Sequence, residues 1–198
     1  MPIDDDAAIV DGLRKRSEEA FSMFFEKWKD PLYGYLISLT RDRNTAEDLL
    51  QDVFIKVLAN INAYKHRGRL KQWVFQIAWN SAVDNLRRTR RSRFVSLERA
   101  DGVASNLEGG GPGPEAIASQ SEMEEKVRKA VGGLPPEQRT VLHLRTKENL
   151  SFREIAEAMG SSLNTALGRM HYAVSALRKQ LKETEEIRHV PENANDMQ

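Results

Sequence analysis

The sequence predicts an all-α protein: two small helical domains joined by a flexible linker, the C-terminal one a helix-turn-helix. Three observations predict this. Apolar residues recur at three- and four-residue intervals in both halves of the chain, the period of one helix face. No segment shows sustained apolar–polar alternation bounded by turn residues, the mark of a strand. Between the halves lie Gly102, Gly109-Gly110-Gly111-Pro112-Gly113-Pro114, Ser119 and Ser121, with few apolar residues to anchor them. The expected organisation is a helical domain over 1–95, an acidic Gly/Pro-rich linker over 96–122, a helix-turn-helix domain over 123–182 and an acidic tail over 183–198.

The elements follow in order. Ala20, Phe21, Phe24, Phe25 and Trp28, then Leu32, Tyr35, Leu36 and Leu39, form an apolar stripe that Pro31 kinks or restarts. A second helix opens at Asn44, whose side chain caps it while Glu47 reaches back. Its buried stripe is Leu49, Leu50, Val53, Phe54, Val57 and Leu58. A third runs from about Leu70 to Arg88 with Val74, Ile77, Ala78, Val83 and Leu86 available to the core. Beyond the linker, Leu134-Pro135-Pro136-Glu137 starts a supporting helix with Val141, Leu142 and Leu144 as its apolar positions. Ser151-Phe152-Arg153-Glu154 is a capping box for a short helix with Ile155, Ala156 and Met159 inward. Gly160 suits the left-handed backbone that ends it. Ser162 caps the next helix, which carries Ala166, Met170, Val174, Leu177 and Leu181 on one face. A short helix, a glycine turn and a longer helix make a helix-turn-helix; an ordinary helical hairpin is the plainer alternative.

Composition narrows the function. The 198 residues include no cysteine, which excludes disulfides, thiolate metal sites, Fe–S clusters and a cysteine nucleophile. No apolar run approaches the roughly 20 residues that span a bilayer, and Met1 to Asp6 lack the order of a signal peptide, so a cytoplasmic protein without membrane insertion is expected. The formal charge of +1 hides segregation: net −4 over 1–60, +8 over 61–95, −6 over 96–125, +7 over 126–182 and −4 over 183–198. Two basic blocks around an acidic one fit two surfaces for a polyanion, against the alternative of solvated helix faces. The four histidines, His66, His143, His171 and His189, share no metal-ligand spacing, and no glycine motif cradles a phosphate. We therefore expect no enzyme, no catalytic residue, no metal and no cofactor.

Both basic blocks carry nucleic-acid signals. On the last helix, counting 100° per residue from the buried stripe turns Thr165, Gly168 and Tyr172 outward, flanked by Asn164, Arg169 and His171. The N-terminal half of such a helix enters a major groove, where Arg and Asn read base edges and Thr and Tyr bond phosphates. In the first basic block, Tyr64, Trp73, Phe75 and Trp79 interleave with Lys65, His66, Arg67, Arg69 and Lys71, before a cluster of Arg87, Arg88, Arg90, Arg91 and Arg93. Positive charge for phosphates and aromatic faces for unstacked bases are what single-stranded nucleic acid needs. Phe75 and Trp79 also fit a plain hydrophobic core. Asn80 and Asp84 share a helix face, and Asn80 can read a base edge.

The order of these motifs resembles bacterial sigma factors. Ala46-Glu47-Asp48-Leu49-Leu50-Gln51-Asp52-Val53-Phe54 and the run from Trp73 to Arg88 resemble region 2; Leu134 to Arg139, Leu150 to Ala156 and the helix after them resemble region 4. Two such domains with no intervening region 3 are similar to the small extracytoplasmic-function (ECF) group. The resemblance spans roughly residues 15–182. It implies an alternative sigma factor that directs core RNA polymerase to specific promoters and assists their opening. It implies that Glu47, Asp48, Gln51 and Asp52 dock on the polymerase β′ clamp, with the β flap as a further polymerase contact. Lys65, His66, Arg67, Arg69, Lys71, Trp73, Asn80, Arg87, Arg88, Arg90 and Arg91 would hold the melted −10 element; Asn164, Thr165, Gly168, Arg169 and Tyr172 would read the −35 duplex. An anti-sigma factor is an implied partner, and the acidic linker would imitate RNA in the polymerase exit path. The chain departs from the family pattern at Leu167 and Gly168, where most relatives carry a basic residue and a serine, and at Gln72, where many carry threonine. Arg145, Lys147 and Arg153 are alternative phosphate contacts. The competing reading is a stand-alone helix-turn-helix regulator that binds duplex operators.

Overall fold

The structure is a computed structural model that describes residues 5–65, 68–97 and 122–188. Eight helices and no strand occur among the described residues: α1 (Asp5–Arg14), α2 (Glu18–Thr40), α3 (Arg43–Asn60), α4 (Leu70–Leu97), α5 (Glu122–Gly132), α6 (Pro136–Thr146), α7 (Phe152–Ala158) and α8 (Leu163–Arg188). His66, Arg67, residues 98–121 of the expected linker and the tail from 189 lie outside the described residues.

Helices α1–α4 enclose an aromatic core. Phe24, Trp28, Tyr35 and Phe75 are all but fully buried. The Phe75 ring meets Trp28 edge-on at 6.1 Å and Tyr35 at 5.4 Å, and Phe24 meets Phe54 at 5.7 Å. Such edge-to-face contacts add about 1 kcal/mol each to the burial itself. Helix α2 continues through Pro31 without a break. The proline removes one backbone donor, but Trp28 on one side and Leu32 on the other are locked in the core, which holds the helix together across it. Helix α3 begins one residue earlier than its expected Asn44 start, and its cap is Asp42, whose Oδ1 accepts from the Thr45 amide at 2.8 Å. The Thr45 side chain and then its amide, both hydrogen-bonded to the Asp42 carboxyl, hold it below its ordinary value. Helix α4 passes the expected end at Arg88 and reaches Leu97, so Arg90 and Arg91 lie on the same helix as Arg87 and Arg88 rather than beyond it.

Gly12 marks a close approach of α1 to α2. A Cβ added there would lie 2.4 Å from the Ala20 Cβ, far inside ordinary carbon contact. Helix propensity alone favours alanine over glycine by about 1 kcal/mol. The clash forces α1 away from α2, and overpacking of this kind costs about 1–3 kcal/mol. Gly12→Ala is therefore expected to lower the urea midpoint; a raised midpoint would show that α1 yields freely.

In the C-terminal half, α6, α7 and α8 close around Val141, Leu144, Ile155 and Ala166. The capping box at Ser151 is complete: its Oγ accepts from the Glu154 amide, and the Glu154 carboxylate accepts from the Ser151 amide at 2.8 Å. Gly160 has φ +58, and the Ser162 Oγ accepts from the Thr165 amide at 3.1 Å to cap α8. The turn thus forms as its residues dictate.

The two halves pack on each other and share one continuous core. Arg139 on α6 donates to the Ser38 carbonyl on α2 at 2.9 Å, and Arg41 donates to the Gly132 carbonyl at 3.3 Å. Tyr35 and Thr140 meet hydroxyl to hydroxyl at 3.4 Å in the interior, where burial pushes the Tyr35 phenol up. Helix α7 lies against α4.

Candidate nucleic-acid interface

Of the 65–73 segment, Leu70 starts α4 and is fully buried. Gly68, with φ +67, takes a backbone conformation that side chains disfavour. The Trp73 ring is half-buried and packs against Tyr64 at 4.7 Å with 33° between planes. Phe75 and Trp79 belong to the core, which resolves their two readings. Lys65 and Asn80 are exposed.

The cations that follow Gly68 face the C-terminal half. Arg69 Nη1 donates to Glu157 Oε2 at 2.9 Å, and Gln72 Nε2 donates to the same oxygen at 2.8 Å. Lys71 Nζ donates to the Glu148 carbonyl at 3.0 Å and lies 3.3 Å from its carboxylate. Glu148 is 8% exposed. The sequence offered a faint signal for this: Glu148 and Glu157 are among only four acids in the basic block 126–182. Nothing local tells which cations they meet.

Further along α4, Arg87, Arg88 and Arg91 line a groove of about 450 Å³ with Asp84 and with Lys56 of α3. Arg90 lies on the same helix, its side chain outside the described set. Arg87 Nη1 stands 4.0 Å from Asp84 Oδ1.

On α3, Asp48 and Gln51 are exposed and Glu47 accepts from Arg43 Nε at 2.9 Å. Asp52 is half-exposed and pairs with Lys56 at 2.7 Å. Leu58, expected in the core, is exposed at the edge of a surface groove it lines with Phe21, while Val57 and Ile61 beside it take the buried side of the same end of α3. Ile55 is 65% exposed on the same face.

On α8, Asn164, Thr165 and His171 are exposed, Tyr172 is 65% exposed and Gly168 is half-buried. The Thr165 hydroxyl sits 2.8 Å from that of Ser162. Arg169 departs from its expected outward position. It is half-buried and lines a cleft of about 570 Å³ with Trp79, Asn80 and Asp84 of α4 and Glu137 of α6. The helical-wheel count considered only the core of its own domain; the packing of α4 beside α8 encloses that flank. Leu163 and Leu167 are exposed instead. Arg145 donates to the Leu150 carbonyl at 3.0 Å and covers the Phe152 ring at 5.3 Å, while Lys147 and Arg153 are exposed.

Among the described residues no three His, Cys, Asp or Glu side chains gather as metal ligands, and no helix is long and apolar enough to cross a membrane. The model of Sigma-70 region 2 matches residues 24–92, and that of Sigma-70 region 4 matches residues 130–179. The chain is 27% identical over 175 residues to the ECF RNA polymerase sigma factor SigW of Bacillus subtilis, covering 86% of this chain and 94% of that protein. The fold is similar to the sigma factor RpoE in its complex with the anti-sigma factor NepR from Bartonella quintana, with TM-score 0.64 and 25% identity over 82% of this chain and 96% of that one. It also resembles CnrH in its complex with the cytosolic domain of CnrY, with TM-score 0.63 and 20% identity over 90% and 98% of the two chains.

This chain belongs to the ECF sigma factors. As an ECF sigma factor it binds core RNA polymerase and promoter DNA and acts in transcription initiation as an alternative sigma factor. The matched regions place α3 and α4 in region 2 and the α6–α8 helix-turn-helix in region 4. In this ECF sigma factor, region 4 lies over the start of α4, and its carboxylates hold Arg69, Lys71 and Gln72.

Proposed function

We propose that the sigma factor divides its work by helix. The Glu47, Asp48, Gln51 and Asp52 face of α3 docks on the β′ clamp. The 65–73 segment with Lys65, His66, Arg67, Arg69, Lys71 and Trp73, and α4 with Asn80, Arg87, Arg88, Arg90 and Arg91, capture the melted −10 strand. The start of α8, with Asn164, Thr165, Gly168 and Tyr172, meets the −35 duplex, while its domain contacts the β flap. Arg169 joins them once the α4–α8 cleft opens. The observation that carries this reading is the arrangement of one acidic face on α3 and one basic face on α4, set side by side by a shared core. An acidic face suits a basic partner and a basic one suits phosphates.

The domain limits 1–95 and 123–182, the linker 96–122 and the tail 183–198 belong to the same proposal. So do action in the cytoplasm, the absence of catalysis, and restraint by an anti-sigma protein; two solved relatives of similar fold are held in complexes, RpoE by NepR and CnrH by CnrY.

Transcription in vitro with core polymerase over a promoter library tests the whole reading: added protein should yield transcripts from a defined promoter class. Specific duplex binding by the isolated protein, with no polymerase-dependent transcripts, would favour a stand-alone regulator instead. Asp52→Arg should weaken core polymerase binding about tenfold or more, since it puts a cation where a desolvated anion is required. Unchanged binding in a pull-down titration would remove α3 from the docking surface.

A further inference from the structure

The basic groove on α4 contains one cation that the other helix supplies. Lys56 sits on α3, four residues after Asp52, on the helix proposed to face polymerase. Its Nζ makes two bonds of different kinds. It pairs with Asp52 Oδ2 at 2.7 Å and donates to Ser81 Oγ on α4 at 2.9 Å. Ser81 is 1% exposed, so its hydroxyl is a fixed post that draws the lysine across the α3–α4 seam. The ammonium carries three N–H donors, and these two bonds use two of them. Beyond the post, Lys56 lines the same groove as Arg87, Arg88 and Arg91, with Asp84 as the acid in its wall. Four cations against one acid in that lining gain little from each other and much from a phosphate. Every lining residue comes from α3 or α4, so the packing of the C-terminal half over the start of α4 does not cover it.

We propose that Lys56 is a phosphate-binding residue of the promoter groove, positioned by Ser81 and shared with Asp52, so that α3 meets DNA as well as polymerase. This rests on the reading of α4 as the DNA-binding helix and adds to it. Ser81 aims the ammonium toward the arginines. Asp52 holds part of its charge until polymerase engages the α3 face; a clamp cation that takes Asp52 leaves Lys56 to the sugar–phosphate backbone. The two interfaces are thereby linked through one side chain.

The test uses the full chain assembled with core polymerase. Binding to a promoter fragment is titrated across a potassium chloride series for the native protein, Lys56→Met, Lys56→Gln, Lys56→Arg and Arg88→Met. Loss of one phosphate contact lowers the slope of log K against log salt by about 0.7–0.9. Lys56→Met should show that loss, with binding about fivefold weaker near physiological salt, the same slope applied at that concentration. Lys56→Arg should keep the native slope. Lys56→Gln retains a donor for Ser81 without the charge, so it should fold normally and still lose the slope; it decides the matter if Lys56→Met does not fold. A native slope in Lys56→Gln beside a reduced one in Arg88→Met would overturn the proposal and leave Lys56 as a tie between helices. A native slope in both would overturn it together with the assignment of this α4 groove to DNA.

Discussion

Phe75→Ala is expected to remove a large part of the protein's stability. The side chain is fully buried where α2 and α4 cross, with Trp28 and Tyr35 edge-on to its ring. Truncation loses the transfer of the ring and leaves a hole that rigid aromatic neighbours cannot fill. Phe→Ala changes in cores cost about 3–5 kcal/mol, against total stabilities of about 5–15 kcal/mol. Both halves of the protein should loosen together, because Tyr35 also touches Thr140 and His143 of the C-terminal half. Urea unfolding followed by far-ultraviolet dichroism checks the size of the loss. A change below about 1 kcal/mol would mean the site collapses around the smaller residue.

Mild acid is expected to act through His143. The imidazole lies on α6 against the Tyr35 ring, at 5.4 Å, and is largely enclosed. Burial, then the charge of Lys147, lowers its pKa from 6.5 to about 4. Its Nε2 is 3.9 Å from Glu148 Oε1, which by itself would favour the protonated ring. Burial prevails because Lys71 already takes the Glu148 carboxylate. The folded ring is therefore neutral while the unfolded ring gains a proton below its pKa of 6.5. Above that pH His143 carries no penalty; as pH falls from 6.5 toward 4, stability is lost. The slope of one proton is about 1.4 kcal/mol per pH unit, or about 2 kcal/mol between pH 7 and 5. His143→Gln should flatten this part of the stability profile, measured by urea midpoints over that range. A native-like slope in the variant would assign the acid sensitivity to other groups.

Helix faces were legible in the sequence because their causes are local. The Ser151–Glu154 box and the Gly160 turn each depend on residues within a few positions and form as read; of the stripe from Ala20 to Leu39, Phe21 and Phe25 are exposed at its margin and Pro31 does not break the helix. Asn44 failed as the cap of α3 because Asp42 stands one position before the helix and offers a carboxylate oxygen to the Thr45 amide. The limits of periodicity appear at Leu58 and Arg169. Both were placed by counting from a stripe, and both are set by what a distant helix covers or leaves open. The same holds for Glu148 and Glu157, whose partners are 77 to 88 residues away in the chain. Lys56 was invisible as a site residue for a related reason: only the side-by-side setting of α3 and α4 brings it to Ser81.

The Glu157 carboxylate accepts from Arg69 and Gln72, and Glu148 holds Lys71 through its carbonyl and its carboxylate, all from within one chain. A tethered rival of this kind acts at an effective concentration on the order of millimolar, whatever the amount of protein in solution. On the proposed reading, a promoter strand that reaches Arg69 or Lys71 in the unassembled protein competes with these internal anions, while Lys65 stands exposed to it. If those two cations do meet DNA, the internal rival raises the concentration of DNA needed to engage them, and parting the two halves of the protein removes that handicap.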